Sequence, residues 1–144
     1  MTNRININEL EPAAYQPMFG LEAYLSATDL EPKLKELIKI KASITNQCAY
    51  CVQMHTEQAR KQGETEQRLY ALSVWQESPL FTDTERAVLA LTEEVTLISA
   101  SGVSDETYSR CLALLGEHTL AQCIMQIVTI NMWNRIALAT KMQH

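Results

Sequence analysis

Two cysteines and a histidine lie close together in the stretch NQCAYCVQMH, as Cys48, Cys51 and His55. A helix advances about 100° per residue, so this spacing places the three side chains on one narrow face. A thiolate can attack a peroxide oxygen to form a sulfenic acid, and a neighbouring thiol then condenses with it to give a disulfide and water. The motif therefore predicts a redox pair with an imidazole placed to move a proton.

The predicted start of the motif helix bears on which thiol ionises more easily. We predict that Thr45 or Asn46 caps this helix and that Cys48 lies in its first turn. Unpaired backbone N–H groups and the positive end of the helix dipole favour thiolate over thiol there. By this argument Cys48 is the more acidic thiol, and Cys51 lies one turn further on, within reach of a disulfide.

Two other interpretations of the motif remain open. Cys48, Cys51 and His55 could bind zinc together with a carboxylate, although the chain has no second C-x-x-C or H-x-x-x-H element to complete a structural zinc site. The two thiols could also be buried without any chemistry. The other cysteines, Cys111 and Cys123, lie among apolar residues, and we predict that they are buried small hydrophobic side chains.

Composition limits the classes of function. The chain has 144 residues, 47% of them hydrophobic, and a net charge of -5, which predicts one globular domain over residues 1–144. It has no basic stripe, so nucleic acid is not an expected partner. The N-terminus lacks the apolar region of a signal peptide, and no run approaches about 18 apolar residues. We expect a cytoplasmic protein that does not span a membrane.

Apolar positions recur with a period near 3.6, and the chain contains only 4 Gly and 4 Pro, so we predict an all-α fold of about six to seven helices. The boundaries follow from caps, prolines and glycines. The first four predicted helices are residues 12–26, a helix capped by Thr28 or Asp29 with Pro32 in its first turn, the motif helix up to Gly63, and residues 64–75. A fifth helix is opened by a capping box at 82–85. The last two are a short helix from Ser104 or Asp105 to Leu115, ended by Gly116, and a helix from a capping box at 119–122 to about 142.

The last predicted helix is apolar almost all round. A helix without a clear polar face is usually buried on more than one side. We therefore expect it either at the centre of the domain or under a subunit interface.

The segment over residues 36–63, ELIKIKASITNQCAYCVQMHTEQARKQG, contains an acidic residue twelve positions before the first cysteine and a histidine four positions after the second. It resembles the core motif of the alkylhydroperoxidase D-like proteins of the carboxymuconolactone decarboxylase superfamily. The stretches LFTDTERAVLALTEEVT and INMWNRIAL are similar to later parts of such proteins. The resemblance implies a compact all-helical fold that assembles as a homo-oligomer, a trimer or a hexamer.

The resemblance also implies a role for each residue of the motif. Glu36 is the distant base of a relay through water and His55, Cys51 is the peroxidatic thiol, and Cys48 is the resolving thiol. The implied activity is that of a thiol-dependent peroxidase or disulfide oxidoreductase that reduces small organic hydroperoxides. No bound cofactor or metal is needed, because the electrons come from a dithiol or a thioredoxin-like protein.

Tyr50 departs from this pattern, because some peroxidase members have a histidine between the two cysteines. With a pKa of about 10, tyrosine cannot carry protons near neutral pH, although it can donate one hydrogen bond. Two other functions remain open. One is a lyase that decarboxylates a small lactone acid, although decarboxylase members generally lack the C-x-x-C pair. The other is a redox-sensing stress-response protein whose disulfide changes assembly without turnover.

Several residues outside the motif have a structural interpretation beside a functional one. Glu85 is first of all a capping-box residue. No role is predicted for the two remaining histidines, His118 and His144. The residues that could line either the site or a surface are Glu93, Glu94, Trp133, Asn134 and Arg135.

Overall fold

The computed structural model describes residues 3–143, and this range contains helices and turns but no strand. The all-α prediction is therefore confirmed. Residues 1–2 and His144 lie outside the described range. In chain order the helices are α1 (Ile7–Leu10), α2 (Pro12–Ala27), α3 (Pro32–Thr45), α4 (Ala49–Lys61), α5 (Glu66–Ala71) with a 3₁₀ helix (Leu72–Glu77) after it, α6 (Asp83–Thr96), α7 (Ile98–Ser101) and α8 (Asp105–Thr140).

The first long helices begin at prolines, whose fixed φ suits the first helical position. Pro12 begins α2 and Pro32 begins α3, as predicted. The predicted cap of α3 is wrong, because Glu31 occupies the N-cap position and makes no side-chain cap hydrogen bond. Thr28 instead ends α2, where its hydroxyl donates to the carbonyl of Leu25 at 2.7 Å. Thr28 therefore stabilises the end of α2, whereas the sequence suggested that it caps the start of α3.

The motif helix ends near Gly63 as predicted, whereas the helix after it begins later than predicted. Helix α4 ends at Lys61, and Gly63 follows with a positive φ of 89°, the left-handed conformation that often terminates a helix. Thr65 then caps α5 by accepting from the N–H of Arg68 at 3.2 Å. The predicted helix over residues 64–75 therefore begins later, and it continues as a 3₁₀ helix to Glu77.

Helix α6 opens with the predicted capping box. The N–H of Glu85 donates to the Thr82 hydroxyl at 3.1 Å, and the N–H of Thr82 donates to the Glu85 carboxylate at 2.9 Å. Glu85 also pairs with Arg68 at 2.7 Å, and Arg68 pairs with Glu64 at 2.8 Å. This ion cluster ties α6 to α5, so Glu85 has a structural role away from the cysteine pair.

Helix α8 contains both of the last two predicted helices. Ser104 caps it, as predicted, by accepting from the N–H of Thr107 at 3.2 Å. Gly116 has a φ of 77° and interrupts the helix at the predicted end of the shorter one. The predicted capping box at 119–122 is wrong, because the chain resumes its helix directly after Gly116 and Thr119 lies inside it. Only a kink therefore separates the two segments.

The core forms where α8 packs against α2, α3, α4 and α6. The larger cluster joins α3, α6 and α8, and a second cluster joins α3 to the segment between α4 and α6. By length and composition α8 is apolar enough to cross a membrane, yet its position makes it the central helix of the core. Of its apolar residues, Leu114, Val128 and Leu138 remain exposed on the surface.

Candidate active site

The cysteine pair lies where α4 begins. Cys48 and Cys51 are joined by a disulfide, and their Cα atoms are 5.3 Å apart. The predicted cap is wrong, because Cys48 itself occupies the N-cap position instead of Thr45 or Asn46. Its sulfur accepts from the N–H of Cys51 at 3.3 Å. Cys48 therefore takes the place that serine or aspartate often fills, where a backbone donor favours negative charge on the cap atom.

A polar network from α8 holds the turn that precedes the pair. Asn46 donates through its side-chain amide to Asn131 and to Asn134, each at 2.9 Å. Asn134 donates in turn to the hydroxyl of Ser43 at 3.1 Å. Gln47 takes a left-handed φ of 59°, which turns the chain between α3 and α4. Asn134 is thus a buried supporting residue, and the sequence did not single out Asn46 or Asn131 for this purpose.

His55 and Glu36 lie next to each other across the interface of α3 and α4. The Nδ1 atom of His55 is 3.6 Å from Oε2 of Glu36, and Nζ of Lys39 is 3.1 Å from Oε1. Glu36 is only 4% exposed, and within residues 3–143 its Oε2 has no hydrogen-bond partner. The two predicted relay residues are therefore brought together, with one carboxylate oxygen left for the imidazole.

The charge of Glu36 is set by two opposing effects. Burial by itself raises the pKa of this carboxyl, because it disfavours the charged form. Interaction with His55 and with the Lys39 ammonium acts in the opposite direction and outweighs burial, so the pKa lies below its ordinary value. Glu36 is therefore an anion at neutral pH, despite being buried.

An apolar cavity of about 340 Å³ opens beside Cys51. Cys51 and His55 contribute to one side of it, together with Tyr50. This helical arrangement follows the i, i+4 spacing of Cys51 and His55, which places both side chains on one face of α4. The remaining lining residues are Tyr15, Phe19, Glu22, Met54, Trp133, Ala137 and Met142.

Trp133 was one of the residues with two possible interpretations, and it lies in the cavity wall. Its indole N–H donates to the carboxylate of Glu22 at 2.9 Å. Tyr15, Phe19 and Glu22, all on α2, were missed by the sequence analysis. Their single helix shows no chemical motif, and only the packing of α2 on α8 brings them to the cysteine pair.

A second cavity lies on the other side of His55. It is polar, has a volume of about 560 Å³, and is bordered by Glu36, Lys35 and Lys39. His55 and Met54 border both cavities. The imidazole therefore lies between an apolar space that reaches Cys51 and a polar space that reaches Glu36.

Cys48 borders neither of these two cavities. It lines a third one of about 390 Å³, together with Gln47, Leu138 and Lys141. Within residues 3–143, the two cysteines of the pair thus border different cavities.

The other cysteines are free and buried in the core, as predicted. Burial raises the pKa of Cys111 to about 11 and that of Cys123 to about 12. The Cys111 thiol donates to the carbonyl of Ala87 at 3.2 Å. Both residues are therefore neutral thiols at physiological pH, and they lie on α8 in the core cluster that this helix forms with α3 and α6.

The remaining acidic residues make structural contacts. Glu93 pairs with the buried Lys41 at 2.7 Å and accepts from the indole N–H of Trp75 at 3.2 Å. Glu94 accepts from the N–H of Ser104 at 3.3 Å. Among the residues that the structure describes, no three His, Cys, Asp or Glu side chains are grouped as metal ligands.

Comparisons with known proteins agree with this fold and this motif. The sequence pattern of the carboxymuconolactone decarboxylase family matches residues 12–94. The uncharacterized protein YdfG of Bacillus subtilis (strain 168) is 40% identical over 139 residues, which span 96% of this chain and 95% of that protein. More than half of this chain thus matches the family pattern, and its relative matches almost end to end.

Solved structures agree as well. A protein of unknown function from Agrobacterium tumefaciens, considered an antioxidant defence protein of the AhpD type, is 38% identical with a TM-score of 0.95, covering 99% of this chain and 98% of that chain. The debrominase Bmp8 in complex with 2,3,4-tribromopyrrole has the same fold, with a TM-score of 0.84 at 20% identity, over 94% of this chain and 72% of that chain. The chain is an alkylhydroperoxidase D-like member of the carboxymuconolactone decarboxylase family.

Proposed function

We propose that this protein is a thiol-dependent peroxidase that reduces small organic hydroperoxides through Cys51 and Cys48. One observation carries the proposal: Cys51 and His55 line the same apolar cavity, and Cys51 is already bonded to Cys48. An organic hydroperoxide needs an apolar space for its carbon group, a sulfur nucleophile, and a proton source for its leaving oxygen. The cavity combines these three features.

In the first step the thiolate of Cys51 attacks the terminal oxygen of the hydroperoxide. A sulfur–oxygen bond forms, the oxygen–oxygen bond breaks, and the alkoxide leaves as an alcohol once it takes up a proton. The sulfur is oxidised by two electrons and becomes a sulfenic acid. His55, which lines the same cavity, donates the proton to the alkoxide.

In the second step the thiolate of Cys48 attacks the sulfur of the Cys51 sulfenic acid. A disulfide forms, and the hydroxyl group leaves as water after taking up a proton. The N-cap position suits Cys48 to this step, because the N–H of Cys51 stabilises charge on its sulfur. The cap thus supports Cys48 as the resolving thiol, while the His55 cavity supports Cys51 as the attacking one.

The third step restores the two thiols. An external dithiol, either small or carried by a thioredoxin-like protein, attacks the disulfide, and two exchange reactions release it in its oxidised form. The net reaction consumes one hydroperoxide and one dithiol and yields an alcohol, water and one disulfide. All electrons come from the external dithiol, so no bound cofactor is required.

Glu36 is proposed to orient His55 and to act as the distant base of the relay through the imidazole. Its lowered pKa keeps it anionic, and its free Oε2 faces Nδ1 of the imidazole. A carboxylate behind one ring nitrogen orients the imidazole and leaves Nε2 to exchange a proton in the cavity. The 3.6 Å separation belongs to the oxidised protein, and such contacts often tighten only when a substrate is bound.

A cytoplasmic homo-oligomer, a trimer or a hexamer, completes the proposal. The exposed apolar residues Leu114, Val128 and Leu138 on the central helix support an assembly that covers them. The proposed cytoplasmic location fits the third step, because a reducing compartment supplies the dithiols that this step consumes.

The proposal is tested by counting thiols before and after one equivalent of cumene hydroperoxide. The fully reduced protein has four thiols, of which we expect two to be lost. Cys51→Ser should keep all three of its remaining thiols and should consume no peroxide within minutes. Cys48→Ser should form a sulfenic acid that a dimedone label traps.

Cys123→Ser is the matched control, since it removes a thiol outside the cavity and should leave the two-thiol loss intact. Full peroxide consumption by Cys51→Ser would show that Cys51 is not the attacking thiol. An unchanged thiol count in the wild-type protein would overturn the peroxidase proposal and favour a thiol-independent lyase.

A further inference from the structure

Three aromatic rings line the cavity that opens beside Cys51. The ring centroids of Tyr15 and Phe19 are 5.8 Å apart, and those of Tyr15 and Trp133 are 5.5 Å apart, both with interplanar angles near 70°. Phe19 and Trp133 are 6.0 Å apart. These are edge-to-face and tilted arrangements, which aromatic pairs prefer. The rings therefore support one another and present a preformed aromatic surface to a ligand.

The size of the cavity restricts that ligand. Its volume of about 340 Å³ is near the lower limit of ligand pockets, which hold about 300–1,000 Å³. A cavity of about 150 Å³ is already large enough for benzene. The space beside Cys51 therefore suits one aromatic ring with a short substituent, and most of a long acyl chain would extend beyond it.

Among the described residues that line this cavity, Glu22 is the only acidic one, and it gives the cavity a charge preference. One oxygen of Glu22 accepts from Trp133 at 2.9 Å, and within residues 3–143 no basic group lies within 4.0 Å of this carboxylate. Lys35 and Lys39 border the polar cavity instead. Lys35 interacts with Glu22 through space, but no lysine or arginine of residues 3–143 lines the cavity beside Cys51. A carboxylate-bearing substrate there would thus meet the charge of Glu22 with no lysine or arginine of the same cavity to receive it.

We propose that the cavity formed by Tyr15, Phe19 and Trp133 is the substrate site for uncharged aryl or short arylalkyl hydroperoxides, and that Glu22 excludes anionic ones. The inference rests on the proposed peroxidase function and specifies its substrate class. Hydrogen peroxide gains nothing from the aromatic wall, and fatty-acid hydroperoxides exceed the space and carry the wrong charge. Glu22 and the three rings are specificity residues, since the reacting atoms belong to Cys51 and the peroxide.

Binding tests the site without any turnover. We expect 2-phenyl-2-propanol, the alcohol that cumene hydroperoxide yields, to bind the oxidised protein more tightly than tert-butanol in isothermal titration calorimetry. Phe19→Leu, at a half-exposed position, should weaken aryl binding by about threefold to tenfold, the usual range for one aromatic contact. Tyr70→Leu, at a 74% exposed position outside the cavity, is the control. Equal binding of both alcohols, or binding unchanged by Phe19→Leu, would overturn the inference.

Kinetics with the same variants separate this inference from the proposed function. The wild-type protein should have a higher kcat/KM for cumene hydroperoxide than for tert-butyl hydroperoxide, and Phe19→Leu should reduce that ratio. Consumption of both peroxides at equal kcat/KM would overturn the substrate assignment and leave the peroxidase proposal standing. Aryl binding without consumption of any peroxide would overturn the peroxidase proposal while the cavity remains an aryl site.

The charge preference is tested with the para-carboxylate of cumene hydroperoxide and its methyl ester. We expect the wild-type protein to have a higher kcat/KM for the ester than for the carboxylate. Glu22→Gln should raise kcat/KM for the carboxylate relative to the ester by about tenfold, because it removes the repulsion between two negative charges at close range. Glutamine still accepts the hydrogen bond from Trp133, so the change isolates the charge. Glu77→Gln, which removes the same charge from an exposed surface position, should leave the ratio unchanged. An unchanged ratio in Glu22→Gln would contradict the charge filter.

Discussion

The two pairs of cysteines are almost equally hidden from solvent, yet only one of them is equipped for chemistry. Cys48 and Cys51 are 1% and 3% exposed, whereas Cys111 and Cys123 are both 0% exposed. The exposed fraction of the cysteines therefore does not distinguish the two pairs. The difference lies in what surrounds each sulfur: the first pair lies at a helix start and borders cavities, and the second pair is enclosed by the core.

The comparison shows how local donors and cavities change a buried thiol. A backbone N–H and a helix N-terminus stabilise a thiolate at the first pair, and His55 lies one turn from Cys51. The second pair has apolar neighbours, and burial raises the pKa of both thiols. The same residue type is thus a packing residue in one region, and in the other it has the surroundings on which we base the proposed nucleophile.

The largest expected difference between the pairs is in thiol alkylation. In reduced protein at pH 7, iodoacetamide should label Cys51 or Cys48 at least 10³-fold faster than Cys111, because a pKa of about 11 leaves about one Cys111 in ten thousand ionised. Mass spectrometry of tryptic peptides at timed intervals measures both rates. If Cys111 or Cys123 in folded protein were labelled at a rate similar to that of Cys48 or Cys51, the two pairs would not differ in reactivity as we describe.

Removal of the imidazole should have the next largest effect. His55→Gln is expected to slow the oxidation of Cys51 by cumene hydroperoxide by about 10²-fold, the lower range for loss of a general acid or base. Stopped-flow measurement of single-turnover oxidation gives the rate. His118→Gln, which changes a histidine that does not line the cavity, should have no effect, and equal slowing by both variants would argue against a specific role for His55.

Removal of the buried carboxylate should have a smaller effect, because we propose that Glu36 acts through His55. We expect Glu36→Gln to lower the same rate by about tenfold. The pKa of Glu36 lies below its ordinary value of 4.5, so the carboxyl is ionised at every pH between 5 and 8. The ratio of wild-type to variant rates should therefore stay constant over this pH range. A ratio that falls toward unity within this range would mean that Glu36 titrates there and is not the fixed anion that we describe.

The core pair should affect stability and leave catalysis unchanged. Cys123→Ala removes a fully buried sulfur, so we expect the free energy of unfolding to fall by about 1–2 kcal/mol. Urea denaturation measures this loss, and the rate of Cys51 oxidation should remain that of the wild-type protein. A loss of peroxide reduction in a folded Cys123→Ala variant would show that the core pair takes part in the chemistry.

The smallest expected effect is on stability at alkaline pH. The pKa of Cys123 is raised from 9.0 to about 12, so its stabilising contribution is complete below pH 9 and is lost as the pH rises from 9 toward 12. Between pH 9 and 10 the wild-type protein should lose about 1 kcal/mol more than Cys123→Ala. Urea titrations of both proteins at these pH values measure the difference, and parallel losses would show that the Cys123 thiol is not held neutral.

Most helix ends were predictable because they depend on neighbours in sequence. Pro12, Pro32 and Gly63 act through their own backbone preferences, and the capping box of Thr82 and Glu85 closes within one turn. The start of α4 was not predictable in this way. It depends on Asn46 bonding to Asn131 and Asn134, which are more than eighty residues away.

The sequence by itself determined the chemical groups of the site. Cys48, Cys51 and His55 lie within eight residues at the start of α4, and helical spacing is a local property, so their proximity follows from order along the chain. Glu36 reaches His55 only because α3 packs against α4. Only the tertiary structure decided what surrounds them. The aromatic wall combines side chains of α2 with Trp133 of α8, and this depends on how distant helices pack, which no local spacing contains.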